Sequence, residues 1–182
     1  MKNRRAFLKV TSATMLSSTL ISLPQFSFAN HSNKKGIVRN ADEGETYFVR
    51  ENTPITIKVS KKKDGVDSVA ICTEEIPLSG GIPIHKHLNN DEFFFFHKGN
   101  GTFILDEQEF TVNEGSTAFV PRGTWHGLKN TGNELLVFTF GFSPAGFEDF
   151  FRQIGTLKGT PFKTKTHDEV ASIAKKFGMV YK

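Results

Sequence analysis

The chain has 182 residues, with one cysteine and 19 phenylalanines, and its 23 basic and 19 acidic residues give a formal charge of +4. Four of the bases and none of the acids lie in residues 1–29. The remainder carries 19 of each, is formally neutral, and gives no electrostatic case for a nucleic-acid or anionic-membrane partner. A lone cysteine excludes an intramolecular disulfide, and the 153 residues after Ala29 suffice for one domain with its own core.

Residues 1–29 read as an export signal: Met1 to Lys9 is basic, Val10 to Leu23 is mildly apolar and rich in hydroxyls, and Ser27-Phe28-Ala29 offers small residues for cleavage. The apolar run is shorter than the ~20 residues of a spanning helix, so no membrane anchor is expected after processing. Asn3-Arg4-Arg5-Ala6-Phe7-Leu8-Lys9 resembles the twin-arginine pattern, with Asn3 in place of Ser or Thr, and implies a folded protein delivered to the periplasm. An ordinary secretory signal is the alternative. Residues 30–45 are polar and short of large apolar side chains, a linker, and residues 46–182 read as a single domain.

Within that domain, Ile55, Ile57 and Val59 alternate with polar residues as in a half-buried strand, and Val69 to Thr73 is its partner, with Lys61-Lys-Lys-Asp64-Gly65 as the hairpin turn between them. Cys72 reads as a small buried side chain. Strand alternation over Ile84 to His87 puts His85 and His87 on one face and Lys86 on the other. Asp91 to His97 repeats the device with Glu92, Phe94 and Phe96, and Lys98-Gly99-Asn100-Gly101 turns the chain. Thr102 to Leu105 and Glu109 to Val112 form a hairpin about Asp106-Glu-Gln. The bend Pro121-Arg122-Gly123 then delivers His126. Glu134 to Phe142 is apolar on both faces and reads as a strand buried on both. Phe147, Phe150, Phe151 and Ile154 have helical spacing up to Gly155. A second helix starts at Thr166, which forms a capping box with Glu169, and ends at Gly178; both helices are expected on the outside of the domain.

Three imidazoles and one carboxylate, His85, His87, Glu92 and His126, are a metal-ligand set. An ionised Glu92 buried among phenylalanines would be costly without a cation. His31, His97 and His167 read as hydrogen-bonded or surface side chains. The spacings resemble the two cupin motifs, G-x5-H-x-H-x3,4-E-x6-G and G-x5-P-x-G-x2-H-x3-N. His85, His87, Glu92 and Gly99 match the first and Gly115, Pro121, Gly123, His126 and Asn130 the second, while the opening glycine of the first falls at Ser79.

The resemblance implies a mainly β, cupin-type jelly-roll barrel with one or two short C-terminal helices, and one divalent transition metal ion (Fe, Mn, Ni, Cu or Zn) bound by His85, His87, Glu92 and His126. Pro144 to Phe151 and the terminal helix look like single-domain cupins grouped with quercetin dioxygenases. This implies a dioxygenase-type oxidoreductase acting on a small phenolic or enol-bearing molecule, with Glu92 also accepting the substrate proton. Phe94, Phe96, Phe138 and Phe140 are the expected substrate wall. A metal-dependent isomerase or epimerase and a non-catalytic binding protein are the alternatives, since cupin barrels host all three. The family also dimerises through barrel edges, so Tyr47 to Val59 is a candidate for pairing with a second copy.

Overall fold

The computed structural model describes residues 36–182. The expected signal peptide, the first part of the linker and His31 lie outside them. Among the described residues no helix is long and apolar enough to cross a membrane.

Twelve strands make two antiparallel sheets. Strands β1 (Glu45–Arg50), β2 (Thr53–Val59), β3 (Ala70–Ile76), β4 (Gly81–His87), β5 (Asp91–Lys98) and β6 (Gly101–Leu105) come first. They are followed by β7 (Gln108–Val112), β8 (Thr117–Val120), β9 (His126–Asn130), β10 (Leu136–Ser143), β11 (Thr156–Leu157) and β12 (Met179–Tyr181). The larger sheet runs β11-β1-β2-β3-β10-β5-β8 and the smaller β12-β4-β9-β6-β7. Consecutive strands often lie in opposite sheets, so each sheet offers its inward face to the other, as in a jelly roll. Between them lies a phenylalanine core in which Phe96 and Phe138 are fully buried, with Phe103, Leu128 and Leu136 around them.

Among the described residues there are three helices, α1 (Lys61–Asp64), α2 (Asp149–Ile154) and α3 (His167–Lys176). The first replaces the expected simple turn between β2 and β3. Ser60 caps it by accepting from Lys63 N, and Gly65, at φ 67°, closes it. The Thr166–Glu169 capping box is present at the start of α3. Neither C-terminal helix is merely exterior, since Phe150, Phe151 and Ile154 of α2 and Val170 of α3 cover the open end between the sheets.

Two further expectations change. Strand β10 is central in its sheet, but only one of its faces is fully buried: Val137 is half-buried and Leu135, just before it, is exposed. The edge at Tyr47 to Val59 is covered in part by the chain itself, since Tyr47 and Phe48 pair with Leu157 and Thr156.

Ser79 stands at the position of the missing motif glycine. Ser79 adopts φ 61°, the left-handed conformation that glycine takes readily. Cys72 is fully buried as expected, and burial pushes its thiol above the ordinary range.

Candidate metal centre

The four predicted ligands meet. His85 and His87 come from β4, Glu92 from the start of β5 and His126 from the start of β9, and one ligand atom from each lies within 4.8 Å of all the others. Alternation along β4 and β5 sends these side chains inward, and β4 and β9 pair directly, with His85 opposite His126. The Pro121–Gly123 bend is tied to the site, because Gly123 donates its backbone N–H to the carbonyl of His87 at 2.6 Å. Gly123 has φ 85°, so a side chain there would strain the link that places His126. Asn130, the last motif residue, is a buried staple that donates to the carbonyls of Ile76 and Glu134 and accepts from Gly132 N.

The second layer orients the donors. His85 Nδ1 lies 2.8 Å from the Pro83 carbonyl and His126 Nδ1 lies 3.0 Å from that of Thr124. A carbonyl can only accept, so both Nδ1 atoms carry hydrogen and both Nε2 atoms are turned to the centre. There Glu92 Oε2 is 2.7 Å from His126 Nε2 and 3.2 Å from His87 Nε2, and the Nε2 atoms of His85 and His87 are 3.1 Å apart. Two imidazole nitrogens that close need a proton or a cation between them. His87 Nδ1 is buried without a partner among the described residues, and nothing in the fold explains it.

Burial, then the neighbouring His126 and His87, lowers His85 to about 3, so its imidazole is neutral. Burial opposes ionisation of Glu92, but His87 and the hydrogen bonds from His126 and His87 outweigh it and hold the carboxyl below the ordinary range. His126 is raised: burial works against its protonation, and the bond to Glu92 prevails. A neutral imidazole and an ionised carboxylate are the forms a metal ion takes up. The buried His85, His87, Glu92 and His126 set fits a single metal ion, and its mixed nitrogen and oxygen donors suit a divalent transition metal.

A cavity of about 550 Å³ leads from this cluster toward the ends of α2 and α3. His85, His87 and Glu92 are exposed to it, and Phe140, Phe142, Phe147, Phe150 and Phe151 form its aromatic side. Of the four phenylalanines expected to line the substrate site, only Phe140 lines this cavity. Phe94, Phe96 and Phe138 are no part of this cavity wall; they pack against one another deeper in the core, with ring centroids 5.6–6.3 Å apart. Alternation gave the correct face for each but not its neighbours across the sheet: Phe94 is level with Phe140, and Phe138 with the cavity-lining Glu74. Phe142 and Phe147, which the sequence reading had not assigned to the wall, pack on His87 at 5.2 and 4.2 Å.

Two other groups were missed. Glu74 is buried in the cavity wall beside Arg50, and Tyr181 of β12 lies there too, opposite His85 in the strand register. Glu74 follows the inward Ala70 and Cys72 at strand spacing, so extending the predicted strand past Thr73 would have found it. Met179 to Tyr181 carries no comparable signal. His97 is exposed and bonded to Thr139, as expected; His167 is exposed too, as expected, at the cavity rim 6.1 Å from the Tyr181 ring.

Residues 72–142 match the cupin domain family. The chain is 31% identical over 75 residues to an uncharacterized protein of Methanocaldococcus jannaschii, a match covering 41% of this chain and 60% of that one. It is 28% identical over 64 residues to an oxalate-binding protein of Thermotoga maritima, covering 35% and 53%. The chain thus spans little more than half the length of these relatives. Among solved structures, KdgF from Halomonas sp. superposes with a TM-score of 0.55 over 63% of this chain and 99% of its own, at 16% identity, a likeness of fold. Motif spacing, two-sheet topology and the domain match agree, and residues 72–142 are a cupin domain.

Proposed function

We propose that this cupin is a metal-dependent enzyme of dioxygenase type acting on a small phenolic or enol-bearing molecule. The observation that carries the reading is one cavity that exposes His85, His87 and Glu92 of the metal-ligand set beside a wall of phenylalanines. Aromatic pairs contribute about 0.5–1.5 kcal/mol each beyond the area they bury, so this wall favours a planar ring. A divalent ion held by the four side chains would supply Lewis-acid and, for Fe, Mn or Cu, one-electron chemistry.

The chain's own residues then have separate tasks. His85 and His126 hold their rings through the Pro83 and Thr124 carbonyls and keep Nε2 turned inward. Phe142 and Phe147 exclude water from His87 and orient the ring of the substrate. Glu92 accepts the proton of the substrate hydroxyl at its carboxylate. Because its neighbours hold that carboxyl low, it takes a proton only from a hydroxyl that is itself acidified.

The test is oxygen uptake by protein reconstituted in turn with Fe, Mn, Ni and Cu, against a panel of flavonols and β-diketones. Uptake matched to substrate loss supports the reading. Silence with every metal would count against it.

A second reading is a binding protein for a small dicarboxylate. One relative is named an oxalate-binding protein, and Arg50 and Lys165 offer cations at the cavity wall. Tight oxalate binding without oxygen uptake would favour it. An isomerase of polar sugars suits the phenylalanine wall poorly. Export to the periplasm by the twin-arginine route belongs to the same proposal, on the strength of Asn3 to Lys9. Replacing both Arg4 and Arg5 by Lys should leave the protein in the cytoplasm, and unchanged export would refute that route.

A further inference from the structure

Glu74 is a buried carboxylate that the metal-ligand set does not use. It sits on the inward face of β3 with Ala70, Cys72 and Ile76, is 3% exposed, and lines the cavity. Arg50 donates to Oε1 over a long 3.3 Å, and among the described residues no donor meets the other oxygen. Burial pushes this carboxyl up to about 7, Arg50 opposing and Glu92 adding to the rise. A carboxylate this buried and this poorly bonded costs the fold stability, and an apolar residue would pack there at lower cost.

Its position gives it a use. Phe142 pairs with Glu92 on one side and with Ala70 on the other, and Glu74 is four residues on from Ala70. At ~3.3 Å per residue their backbone positions are offset by roughly 13 Å along the sheet, while Glu92 stays near enough to add to the rise of Glu74. The cavity therefore holds a second carboxylate set apart from the metal-ligand set, with Phe140 at the level between them. Arg50 balances the charge of Glu74, so the pair presents an acceptor suited to a neutral donor, while a second carboxylate would meet repulsion.

We propose that Glu74 is a second recognition group of this cavity, accepting a hydrogen bond from a hydroxyl at the end of the ligand remote from the metal-ligand set, with Arg50 holding the carboxylate in place. The inference rests on the cavity being the ligand site of the proposed function, and it narrows the substrate to a molecule with hydroxyls at both ends of an apolar body.

The experiment is calorimetric titration of the metal-loaded protein with flavonol and with its derivatives bearing one extra phenolic hydroxyl at different positions. At least one derivative should bind about tenfold or more tighter than flavonol itself, the range for a hydrogen bond to a charged group. Glu74→Leu should bring that derivative down to the affinity of flavonol while bound metal stays at the wild-type ratio. If Glu74→Leu does not fold, the isosteric Glu74→Gln should weaken the preference several-fold. A preference that survives both substitutions, or no preference in the wild type, overturns the proposal. The readout is binding, so a protein that shows the preference but consumes no oxygen refutes the dioxygenase reading and leaves Glu74 in its role. Absence of binding by any probe overturns both.

Discussion

Replacing Glu74 by glutamine should make the protein more stable, by an amount that depends on pH. The carboxyl is raised from its ordinary 4.5 to about 7, because burial penalises the charge more than Arg50 compensates it. At about 1.4 kcal/mol per pH unit, ionising Glu74 costs the folded state about 3 kcal/mol relative to the unfolded chain. The folded state binds the extra proton, so this contribution is intact below 4.5 and is lost as the pH rises through about 7. Glutamine keeps the shape without the charge, and Arg50, whose side chain is 45% exposed, is left solvated rather than stranded. At about pH 8 the variant should gain about 3 kcal/mol, or roughly 6–12 °C in Tm for a domain of this size, and near pH 4 the difference should vanish. Thermal unfolding of both proteins at the two pH values, in the same metal state, measures it. A variant less stable than wild type at about pH 8, or a difference independent of pH, would refute the reasoning.

Three further outcomes are expected. Stripping metal with a chelator should lower Tm by roughly 5–10 °C in scanning calorimetry, since a ligand at a hundredfold its Kd contributes about 2.7 kcal/mol, and restoring the ion should reverse the fall. Phe138→Ala should cost about 3–5 kcal/mol in urea unfolding while bound metal stays unchanged, because Phe138 is fully buried among Phe94, Phe96 and Phe140, away from the donors. Thr166→Ala should remove the cap of α3 for about 1 kcal/mol and raise hydrogen exchange in that helix first.

How far the sequence could be read depended on the range of the interaction concerned. His85, His87 and Glu92 were legible because strand alternation is local, and His126 because the Pro121–Gly123 bend has its own chemistry. The Thr166–Glu169 box was legible for the same reason. The sorting of the phenylalanines was not. Phe94 and Phe140 share an inward face and pair opposite each other, and only the strand that carries them, β10 beside β3 or β5 one place further away, decides that one fills the core and the other the cavity. Strand β12 has three residues and forms by pairing with β4, nearly a hundred positions earlier in the chain, so nothing in Met179-Val180-Tyr181 announces it. Strand β11 is shorter still. Helix α1 was hidden by its own lysines, although Ser60 and Gly65 are ordinary start and stop residues. Glu74 was within reach of the period-two pattern and was lost only because the predicted strand stopped one residue short of it.

The most direct test of the account is the metal content and affinity of the purified protein set beside His126→Ala. His126 is remote in sequence from the other three donors and touches Glu92 at 2.7 Å, so it reports whether the four act as one site. The account predicts one divalent ion per chain in the wild type and an affinity at least about tenfold to a hundredfold weaker in the variant, with the β-sheet signal in circular dichroism retained. A wild-type protein that binds no divalent metal, or a variant that binds it equally well, would contradict it.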